Sequence, residues 1–422
     1  MKVLILSQYY PPENVVIPAT IARALAAKGH QVKVLTGYPN YPEGRLYDGH
    51  RQRWRSRESD GSIDLLRVPL WVDHSPSVVG RTLNYGSFGL SASTAFGFAR
   101  DVDVIYVYAT QMTPALAPWL WQVIGGAPYV LHVQDLWPDS IIGSSFASDS
   151  NTCRLVESLL TPWIGSVYRH AAGVIGIAPT MVRTLTERGV HQDRAHLVYN
   201  WADEHPLQFA DHQEATTHRD ETNVLYGGNV GDMQDLENAV VAAHRAQDAG
   251  VRLTIVGDGV ALPRVKAAAH GIGATNVSFV GRVPREHMGH LLRKADYALV
   301  TLKDLDVFRG TIPSKFQSAL SHGTPVISTV QGDARAFVEE HSVGFAADAE
   351  DPHSLESAFR RAAAVGRQAR DDMSARASRA YANSFSLDAG VTAIENILNR
   401  AARARSRAGS RVNRKGQARA AS

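Results

Sequence analysis

Short runs of apolar, mostly β-branched residues alternate along the first half of the chain with longer stretches of helical periodicity. Residues 19–28, for example, are spaced like an amphipathic helix, and Gly29 after them is a typical helix stop. Such alternation predicts a parallel sheet that is covered by helices on both faces. The strands predicted in this half are residues 3–6, 32–35, 64–68, 104–108, 129–133, 174–177 and 196–199.

The same alternation starts again after a polar segment, residues 201–222, which is rich in His, Asp and Glu. This predicts an N-terminal domain at 1–200, a linker at 201–222 and a C-terminal domain at 223–385. The predicted fold class is α/β, with two doubly wound, Rossmann-like domains that face a central cleft. Ligands of such domains bind at the carboxyl ends of the strands. The second set of predicted strands is 223–226, 252–256, 277–280, 297–301 and 325–329.

The end of the chain divides into a predicted helix, 386–400, and a basic tail, 401–422. We expect the helix to pack its apolar face back on the N-terminal domain. From Arg400 onward there are eight basic residues and no acidic one, and the rest of the chain holds 36 basic and 41 acidic residues. The tail has few large apolar residues, so we expect it to be disordered. A contact with an anionic membrane, a nucleic-acid arm and a solvated tail all stay open.

Composition indicates a folded cytoplasmic protein. The chain has 422 residues, of which 44% are hydrophobic and 20% charged, as in ordinary globular domains. Its lone cysteine, Cys153, excludes an internal disulfide framework, and the first apolar run is too short for a secretory signal. Residues 104–134 carry no Asp, Glu, Lys or Arg, but prolines and glycines divide them into strand, short helix and strand. Any membrane contact is therefore expected to be peripheral, at the inner face.

A glycine-rich loop, residues 227–231, follows the first predicted strand of the second half and leads into an amphipathic helix. Glycine lets the backbone approach an anion closely, and the N–H groups at a helix start point toward it. Alone, the loop would indicate no more than a tight turn. Lys315, however, stands at a predicted helix start, where a cation is unfavourable unless an anion binds there. Together with residues 280–283, 313–315 and 322–326, the loop predicts a site for a nucleotide-linked sugar.

A family resemblance is carried by residues 9–13, 29–32, 38–44, 67–70, 84–88, 134–140 and 200–203. The string Asp-Leu-Trp-Pro-Asp at 135–139 is the most distinctive of these. Over about residues 1–400, the chain resembles retaining GT-B glycosyltransferases of family 4. It looks closest to the WbuB-like branch, which includes N-acetyl-L-fucosamine and colanic acid transferases. The resemblance implies a nucleotide-sugar donor in the C-terminal domain, an acceptor in the N-terminal domain, retention of configuration, and no metal or other cofactor.

The resemblance and the chemistry of the reaction together suggest roles in the donor domain. Breaking a sugar–diphosphate bond leaves negative charge on the β-phosphate, which needs donors aimed at it. We expect these donors from the glycine loop, at Gly228, Asn229, Gly231 and Gln234. Lys315 would add its ammonium, and Ser314 would cap the helix that carries it. The edge of the nucleotide base would be bound by Gly281, Arg282 and Val283.

The chain departs from the family pattern where most members handle the phosphates and the donor sugar. Asn229 and Gln234 stand in place of an Arg and a Lys. Gly310 and Ser318 stand in place of a Glu-x7-Glu pair. The cationic role therefore passes to the remaining candidates, which are Lys315 and then Lys303 and Arg309.

Two features of the N-terminal domain are candidates for the acceptor side. Asp135 follows the predicted strand 129–133, where it would orient the acceptor hydroxyl or stabilise positive charge on the sugar. We interpret His132, within that strand, as a core residue. The basic run 50–57 contains Trp54 and would suit an anionic lipid surface or a pyrophosphate-linked acceptor. A solvated loop is the competing interpretation of that run.

The sequence is thus interpreted as a retaining glycosyltransferase. It would move a sugar, an N-acetylated hexosamine by resemblance, from a UDP-linked donor to a glycan or lipid-linked acceptor of a cell-surface polysaccharide. A nucleotide-sugar epimerase or hydrolase of the same fold stays open as an alternative. So does a non-catalytic sugar-nucleotide binder, which the missing Glu pair would allow. Nucleic-acid binding is disfavoured, because the basic residues avoid the folded body and no reading motif accompanies them.

Overall fold

The computed structural model describes residues 1–73, 78–138, 150–201 and 221–420. The chain forms two compact units: Met1–Asn200 together with the chain from Gly390 onward, and Trp201–Ala389. The predicted linker, 201–222, lies outside the described residues except at its ends, where Trp201 is buried and Thr222 already begins a strand. Asp139, the last residue of the distinctive string, also lies outside them.

The first unit is built on a sheet whose described strands follow the order β3-β4-β2-β1-β5-β6-β7-β8. All neighbours pair in parallel except β3, an edge strand that is antiparallel to β4. The chain order reverses between β1 and β5, and a ligand site is expected at the carboxyl ends of the strands on either side of such a reversal. The strands are β1 Lys2–Ser7, β2 Gln31–Gly37, β3 Ser56–Asp60, β4 Ile63–Val68, β5 Val104–Ala109, β6 Tyr129–Val133, β7 Gly173–Gly176 and β8 Ala195–Leu197.

Helices connect these strands and bury the apolar faces that the sequence pattern indicated. One continuous core contains Leu4, Val107, Leu131 and Trp121, each at most 2% exposed. The stretch without charged residues forms β5, a short helix and β6, as predicted. No helix among the described residues is both long and apolar enough to cross a bilayer. The helices are α1 Val16–Ala27, α2 Val78–Ser93, α3 Phe96–Ala99, α4 Leu116–Gln122, α5 Ser150–His170 and α6 Pro179–Glu187.

The second unit has a parallel sheet with the described strand order β11-β10-β9-β12-β13-β14. This is the doubly wound order, and its reversal lies between β9 and β12. The glycine loop follows β9 directly, so the reversal and the predicted phosphate site coincide. The strands are β9 Thr222–Gly227, β10 Val251–Val256, β11 Val277–Gly281, β12 Tyr297–Val300, β13 Val326–Ser328 and β14 Gly344–Ala346.

Helices cover this second sheet and enclose a separate core that includes Tyr226, Leu253 and Phe359. The amphipathic helix predicted after the glycine loop spans Leu236–Arg245. The helices are α7 Leu236–Arg245, α8 Leu262–Gly271, α9 Arg285–Lys294, α10 Asp306–Arg309, α11 Ser314–Ser321, α12 Asp333–His341, α13 Pro352–Ala363 and α14 Arg367–Ser384.

The last helix, α15, runs from Leu387 to Ala420 and returns to the first unit. Glu395 accepts from the Lys28 ammonium at 2.9 Å and contacts the His30 ring at 2.8 Å, while Leu398 is fully buried. The prediction of a helix end near residue 400 and a disordered tail differs from this structure. Ala and Arg are strong helix formers, and the Arg405 guanidinium donates to two backbone carbonyls of the first unit.

A buried carboxylate, Glu13, holds together the loops that follow β1 and β2. It accepts backbone hydrogen bonds from Tyr10 at 3.1 Å, Asn40 at 2.8 Å and Tyr41 at 2.9 Å. Burial raises the pKa of the Glu13 carboxyl above its ordinary value, against the opposing effect of these donors and of Arg67. The Tyr-Tyr-Pro-Pro-Glu string at residues 9–13 therefore has a structural role at the carboxyl edge of the sheet.

Arg67, at 3% exposed, complements this carboxylate from β4. Its guanidinium donates to the carbonyl oxygens of Pro11 at 2.7 Å and Gly37 at 2.9 Å, and to the Glu58 carboxylate at 2.9 Å. Because Arg presents several donors in a fixed plane, one side chain can satisfy three acceptors from different segments. Glu13 and Arg67, both buried and hydrogen-bonded, thus hold the loops that follow β1 and β2 in place.

We predict that Glu13→Gln destabilises the protein by about 1–3 kcal/mol. The new amide NH₂ would replace a carboxylate oxygen that accepts a backbone N–H, so two donors would face each other. Urea unfolding followed by circular dichroism measures the change. Glu43→Gln is the matched control, since it removes the same charge from an exposed side chain paired with Arg45. A loss for Glu13→Gln no larger than that of the control would contradict the proposed bracing role.

Candidate functional site

Two glycine loops at the carboxyl edge of the second sheet lie against each other. Gly228, with φ at 133°, donates its N–H to the Val256 carbonyl at 2.8 Å. Gly257, with φ at 140°, approaches so closely that a Cβ there would lie 1.8 Å from the Gly228 oxygen. Only glycine fits such a contact in this left-handed backbone region. The sequence analysis missed the second loop, although Gly257-Asp258-Gly259 directly after a buried strand was an available signal.

The hydrogen bonds correct one expectation for the first loop. The N–H groups of Gly228 and Gly231 do not point to a ligand, since they donate to Val256 at 2.8 Å and to the Gln234 side chain at 3.0 Å. The Asn229 amide also donates to Gln234, at 3.3 Å. Among the described residues, the backbone N–H of Asn229 has no partner. Gly228 therefore permits close approach, Gln234 shapes the loop, and Asn229 retains a free donor.

Lys315 reaches this loop from α11. Its Nζ lies 4.1 Å from the centroid of the Tyr226 ring, contacts the Tyr226 hydroxyl and lies 3.5 Å from the Asn229 carbonyl oxygen. No carboxylate among the described residues pairs with it. Burial lowers the pKa of the Lys315 ammonium to about 8. A partly buried cation without a counter-charge is unfavourable, and an anion at the loop would relieve that cost.

The start of α11 differs from prediction in its cap. Pro313 occupies the N-cap position, and Ser314 is already helical and makes no capping hydrogen bond. Lys315 follows as the second helical residue, so its charge and the free N–H groups of the first turn lie at the same end of the helix. Ser314 stays a candidate donor to a phosphate, but it does not act as the cap.

A pocket of about 270 Å³ opens beside the two glycine loops. The ion pair between Arg282 and Asp258, 3.5 Å apart, stands at its exposed rim. The backbone N–H of Val283 has no partner among the described residues, which leaves it available to a base edge as predicted. Gly281 contributes differently, since its carbonyl accepts from Gly257 at 2.8 Å. The lining residues are Gly228, Asn229, Val256, Gly257, Asp258, Arg282, Val283 and Met288.

The other two candidate cations are placed less favourably than Lys315. The exposed Arg309 guanidinium is engaged by Asp304 through two hydrogen bonds, at 2.9 Å and 2.7 Å. Lys303 donates its backbone N–H to Met233, and its side-chain charge acts on the carboxyl of Asp235. These contacts leave Lys315 as the candidate cation that has no anionic partner among the described residues.

Asp135 lies in the first unit, directly after β6. It is open to solvent on one side, yet the surrounding protein desolvates the carboxyl and raises its pKa. Burial raises the phenol pKa of both Tyr85 and Tyr108, and the Asp135 charge acts in the same direction on each. Among the described residues, no hydrogen bond or ion pair engages Asp135, so it is free to act on a ligand.

His132, by contrast, belongs to the core. It is fully buried, and its Nδ1 lies 2.5 Å from the Tyr106 hydroxyl. Burial lowers the pKa of the imidazole to about 3, so the ring is neutral at physiological pH. His132 lies within β6, so its side chain stays in the core. Asp135 lies beyond the end of that strand, at the surface.

A network of buried amides occupies the reversal point of the first sheet, after β1 and β5. Gln8 donates from Nε2 to Asn84 Oδ1 at 2.6 Å and accepts from Gln111. The Asn84 amide in turn donates to the Trp71 carbonyl at 2.7 Å. These side chains come from distant segments, so no local spacing signalled the network. Together with Asp135, it provides polar groups at the edge where this fold binds ligands.

Comparison with known families gives the chain its place. Residues 15–201 match the model of the Glycosyl transferase 4-like domain, and residues 222–364 match that of Glycosyl transferases group 1. The chain is a group 1 glycosyltransferase. The glycine loops, Lys315 and the pocket all fall within the group 1 match, whereas Asp135, Asn84 and Gln111 fall within the 4-like match.

Individual relatives of this glycosyltransferase agree with that assignment. It is 28% identical over 343 residues to the putative colanic acid biosynthesis glycosyl transferase WcaI of Escherichia coli K12, covering 78% of this chain and 84% of that protein. It is 24% identical over 238 residues to the probable glycosyltransferase WbjE of Pseudomonas aeruginosa, covering 54% and 58% of the two chains. The family predicted from sequence is confirmed.

Solved structures confirm the fold. HepE of Anabaena, in complex with UDP, aligns with a TM-score of 0.62 at 14% identity and covers 94% of this chain and 100% of its own. WaaG, a glycosyltransferase of lipopolysaccharide biosynthesis, aligns with a TM-score of 0.57 at 15% identity, covering 94% and 99%. The predicted GT-B class, with two Rossmann-like parallel sheets, is correct.

We predict that Lys315→Ala weakens nucleoside diphosphate binding about 10- to 150-fold, the range of a charge-assisted hydrogen bond of about 1.5–3 kcal/mol. Isothermal titration calorimetry measures the affinity. Lys266→Ala is the matched control, because that lysine also lies over an aromatic ring, Phe279, but is exposed and away from the pocket. An unchanged affinity in Lys315→Ala would remove this residue from the site.

Proposed function

We propose that this glycosyltransferase transfers a hexosyl group from a UDP-linked donor, with retention of configuration, to a glycan or lipid-linked sugar acceptor. The donor lies on the second unit and the acceptor on the first. The sugar we favour is an N-acetylated hexosamine, by resemblance to the WbuB-like branch. A role in cell-surface polysaccharide synthesis is supported by WcaI, whose name assigns it to colanic acid biosynthesis.

The observation that carries this proposal is the unpaired Lys315 ammonium at the glycine loop. When the bond between the anomeric carbon and the diphosphate breaks, charge grows on the β-phosphate oxygen. Lys315 and the free Asn229 N–H would stabilise that oxygen, with the first turn of α11 adding its dipole. A group that meets the developing charge more strongly than the ground state lowers the barrier to transfer.

The identity of the nucleotide is supported by two observations. The pocket would hold a base, and the open N–H of Val283 would donate a hydrogen bond to its edge. HepE, which shares the fold, was solved in complexes with UDP, with UDP-glucose, and with UDP and glucose. The Glu pair of most family members is absent at Gly310 and Ser318, so the donor sugar must be recognised by other groups here.

A donor screen tests the proposed reaction. The protein is incubated with a panel of nucleotide sugars, UDP-N-acetylhexosamines first, and with lipid-linked sugar acceptors, and products are identified by mass spectrometry and NMR. A glycoside with the donor's anomeric configuration is the expected product. Released free sugar or an altered sugar nucleotide would instead indicate hydrolysis or epimerisation. No product with any pair, despite nucleotide binding, would indicate a non-catalytic binder.

That transfer proceeds without a metal is part of the same proposal. The ammonium of Lys315 and helix N-termini would replace the divalent cation that other transferases use to hold a diphosphate. We expect the turnover of the active donor–acceptor pair to be unchanged in excess EDTA. A loss of turnover that added Mg²⁺ or Mn²⁺ restores would contradict this expectation.

On the acceptor side, we predict that Asp135→Asn lowers turnover by at least about 100-fold, because the amide cannot take a proton from the acceptor hydroxyl. Donor affinity should stay close to that of the wild type, since Asp135 belongs to the other unit. Asp193→Asn, at a largely exposed carboxylate of the same unit, is the control. Parallel losses of activity and thermal stability in Asp135→Asn would make this residue structural instead.

A further inference from the structure

We propose that the first unit docks on an anionic membrane through one surface, the Trp–Arg patch, which consists of Arg51, Arg53, Trp54, Arg55 and Trp71. The proposal rests on the proposed function, since it deepens the nature of the acceptor: a sugar carried on a membrane lipid. It does not depend on which sugar is transferred. Vesicle binding through this patch can be measured without any donor.

Among the side chains of the patch, that of Arg55 donates to the Thr94 carbonyl at 2.6 Å, whereas the others are left to solvent. The Trp54 side chain is 62% exposed and that of Trp71 is 56% exposed. The Arg51 and Arg53 guanidinium groups are exposed and form no ion pair or hydrogen bond with any described residue. Several arginines of the second unit, by contrast, form ion pairs with carboxylates, namely Arg264, Arg309, Arg335 and Arg360.

The run from His50 to Arg57 contains four arginines and no acidic residue, so its positive charge is not compensated locally. Single exposed apolar residues are ordinary on a protein surface. Two exposed tryptophans beside two unpaired arginines are a different case, since tryptophan favours the polar–apolar boundary of a bilayer and arginine binds phosphate. A free phosphate would use the arginines and leave the indoles in water. A phospholipid surface uses both.

The backbone beneath the patch is held in place. Gln52 exchanges two hydrogen bonds with the backbone of Leu70, at 2.9 Å and 3.0 Å, which brings the loop that carries Trp54 beside Trp71. The Arg53 N–H donates to the Tyr38 hydroxyl at 3.0 Å. The competing interpretation of a solvated loop does not explain why these two segments are joined while their largest side chains face water.

The patch adjoins the candidate acceptor site. The Trp71 carbonyl accepts from the Asn84 amide at 2.7 Å, and Asn84 accepts from Gln8 at 2.6 Å, so a hydrogen bond joins the patch to the buried amide network. Both lie at the carboxyl edge of the first sheet. A protein held by this patch would therefore present its acceptor site near the headgroup layer, where the sugar of a lipid-linked acceptor is found.

Another candidate anchor lies elsewhere on the first unit. Val123 and Ile124 are 86% and 60% exposed, and the Arg405 guanidinium of α15 donates to the carbonyl of the neighbouring Gly125. Further basic residues follow Arg405 in the sequence of α15. That surface lies before β6, at the amino edge of the sheet, away from the candidate acceptor groups. We favour the Trp–Arg patch because it alone of these two surfaces lies at the acceptor edge.

The test is co-sedimentation of the full chain with phosphatidylcholine vesicles, with and without anionic phosphatidylglycerol. We expect binding only with the anionic lipid, and weaker binding as salt screens the charges. Arg51→Glu/Arg53→Glu should weaken binding at least tenfold, and so should Trp54→Ala/Trp71→Ala. Circular dichroism and thermal unfolding of both variants should match those of the wild type, which shows that they fold. Their nucleoside diphosphate affinity should also be unchanged, because the donor site lies on the second unit, and this separates the test from that of the proposed function.

Two further variants complete the test: a matched control for net charge, and a variant of the other candidate anchor on α15. Arg367→Glu/Arg379→Glu makes the same charge change on exposed side chains of α14 and should bind vesicles like the wild type. Equal losses in this control and in the patch variant would reduce the effect to net charge and overturn the proposal. So would normal binding by the patch variants together with loss in Arg407→Glu/Arg411→Glu, because that result would assign the anchor to α15.

Discussion

The feature on which the account depends is an ammonium that the fold desolvates and does not neutralise. Lys315 lies against the Tyr226 ring at the end of β9, and burial lowers its pKa to about 8. Two other buried charges are compensated: Glu13 accepts three N–H groups and Arg67 donates to three oxygens. Under the proposed function, the counter-charge of Lys315 comes from the diphosphate of the bound donor.

The surrounding backbone is arranged so that this ligand can come close. Gly257 allows its loop to pack directly on the Gly228 carbonyl, and the amides of Asn229 and Gln234 pair with each other. In most family members these two positions carry cations. Here neutral hydrogen bonds hold the loop. Under the proposed function, the diphosphate is stabilised mainly by the Lys315 ammonium and the N-terminus of α11. The donor site is therefore sensitive to a single substitution.

The alternation of apolar runs was sufficient to predict two doubly wound units. Glycine spacing and the helix start at Lys315 pointed to residues that the structure brings into contact. Features that depend on tertiary contacts were not predictable. The Gln8–Asn84–Gln111 network joins distant segments, and the internal use of the Gly228 N–H depends on a neighbouring strand. Disorder was expected after residue 400 because composition does not reveal contacts such as those of Arg405 in α15. The Ser314 cap was wrong by one position, since Pro313 takes it.

The most direct test of the central claim is the number of protons taken up when a nucleoside diphosphate binds. It is measured by calorimetry at pH 8 in buffers of different ionisation enthalpy. A diphosphate beside Lys315 favours the charged amine, so the wild type should take up about half a proton per nucleotide at pH 8 and much less at pH 7. Lys315→Arg, which stays charged at both values, should take up none. Equal proton uptake by the wild type and Lys315→Arg at pH 8 would contradict the account.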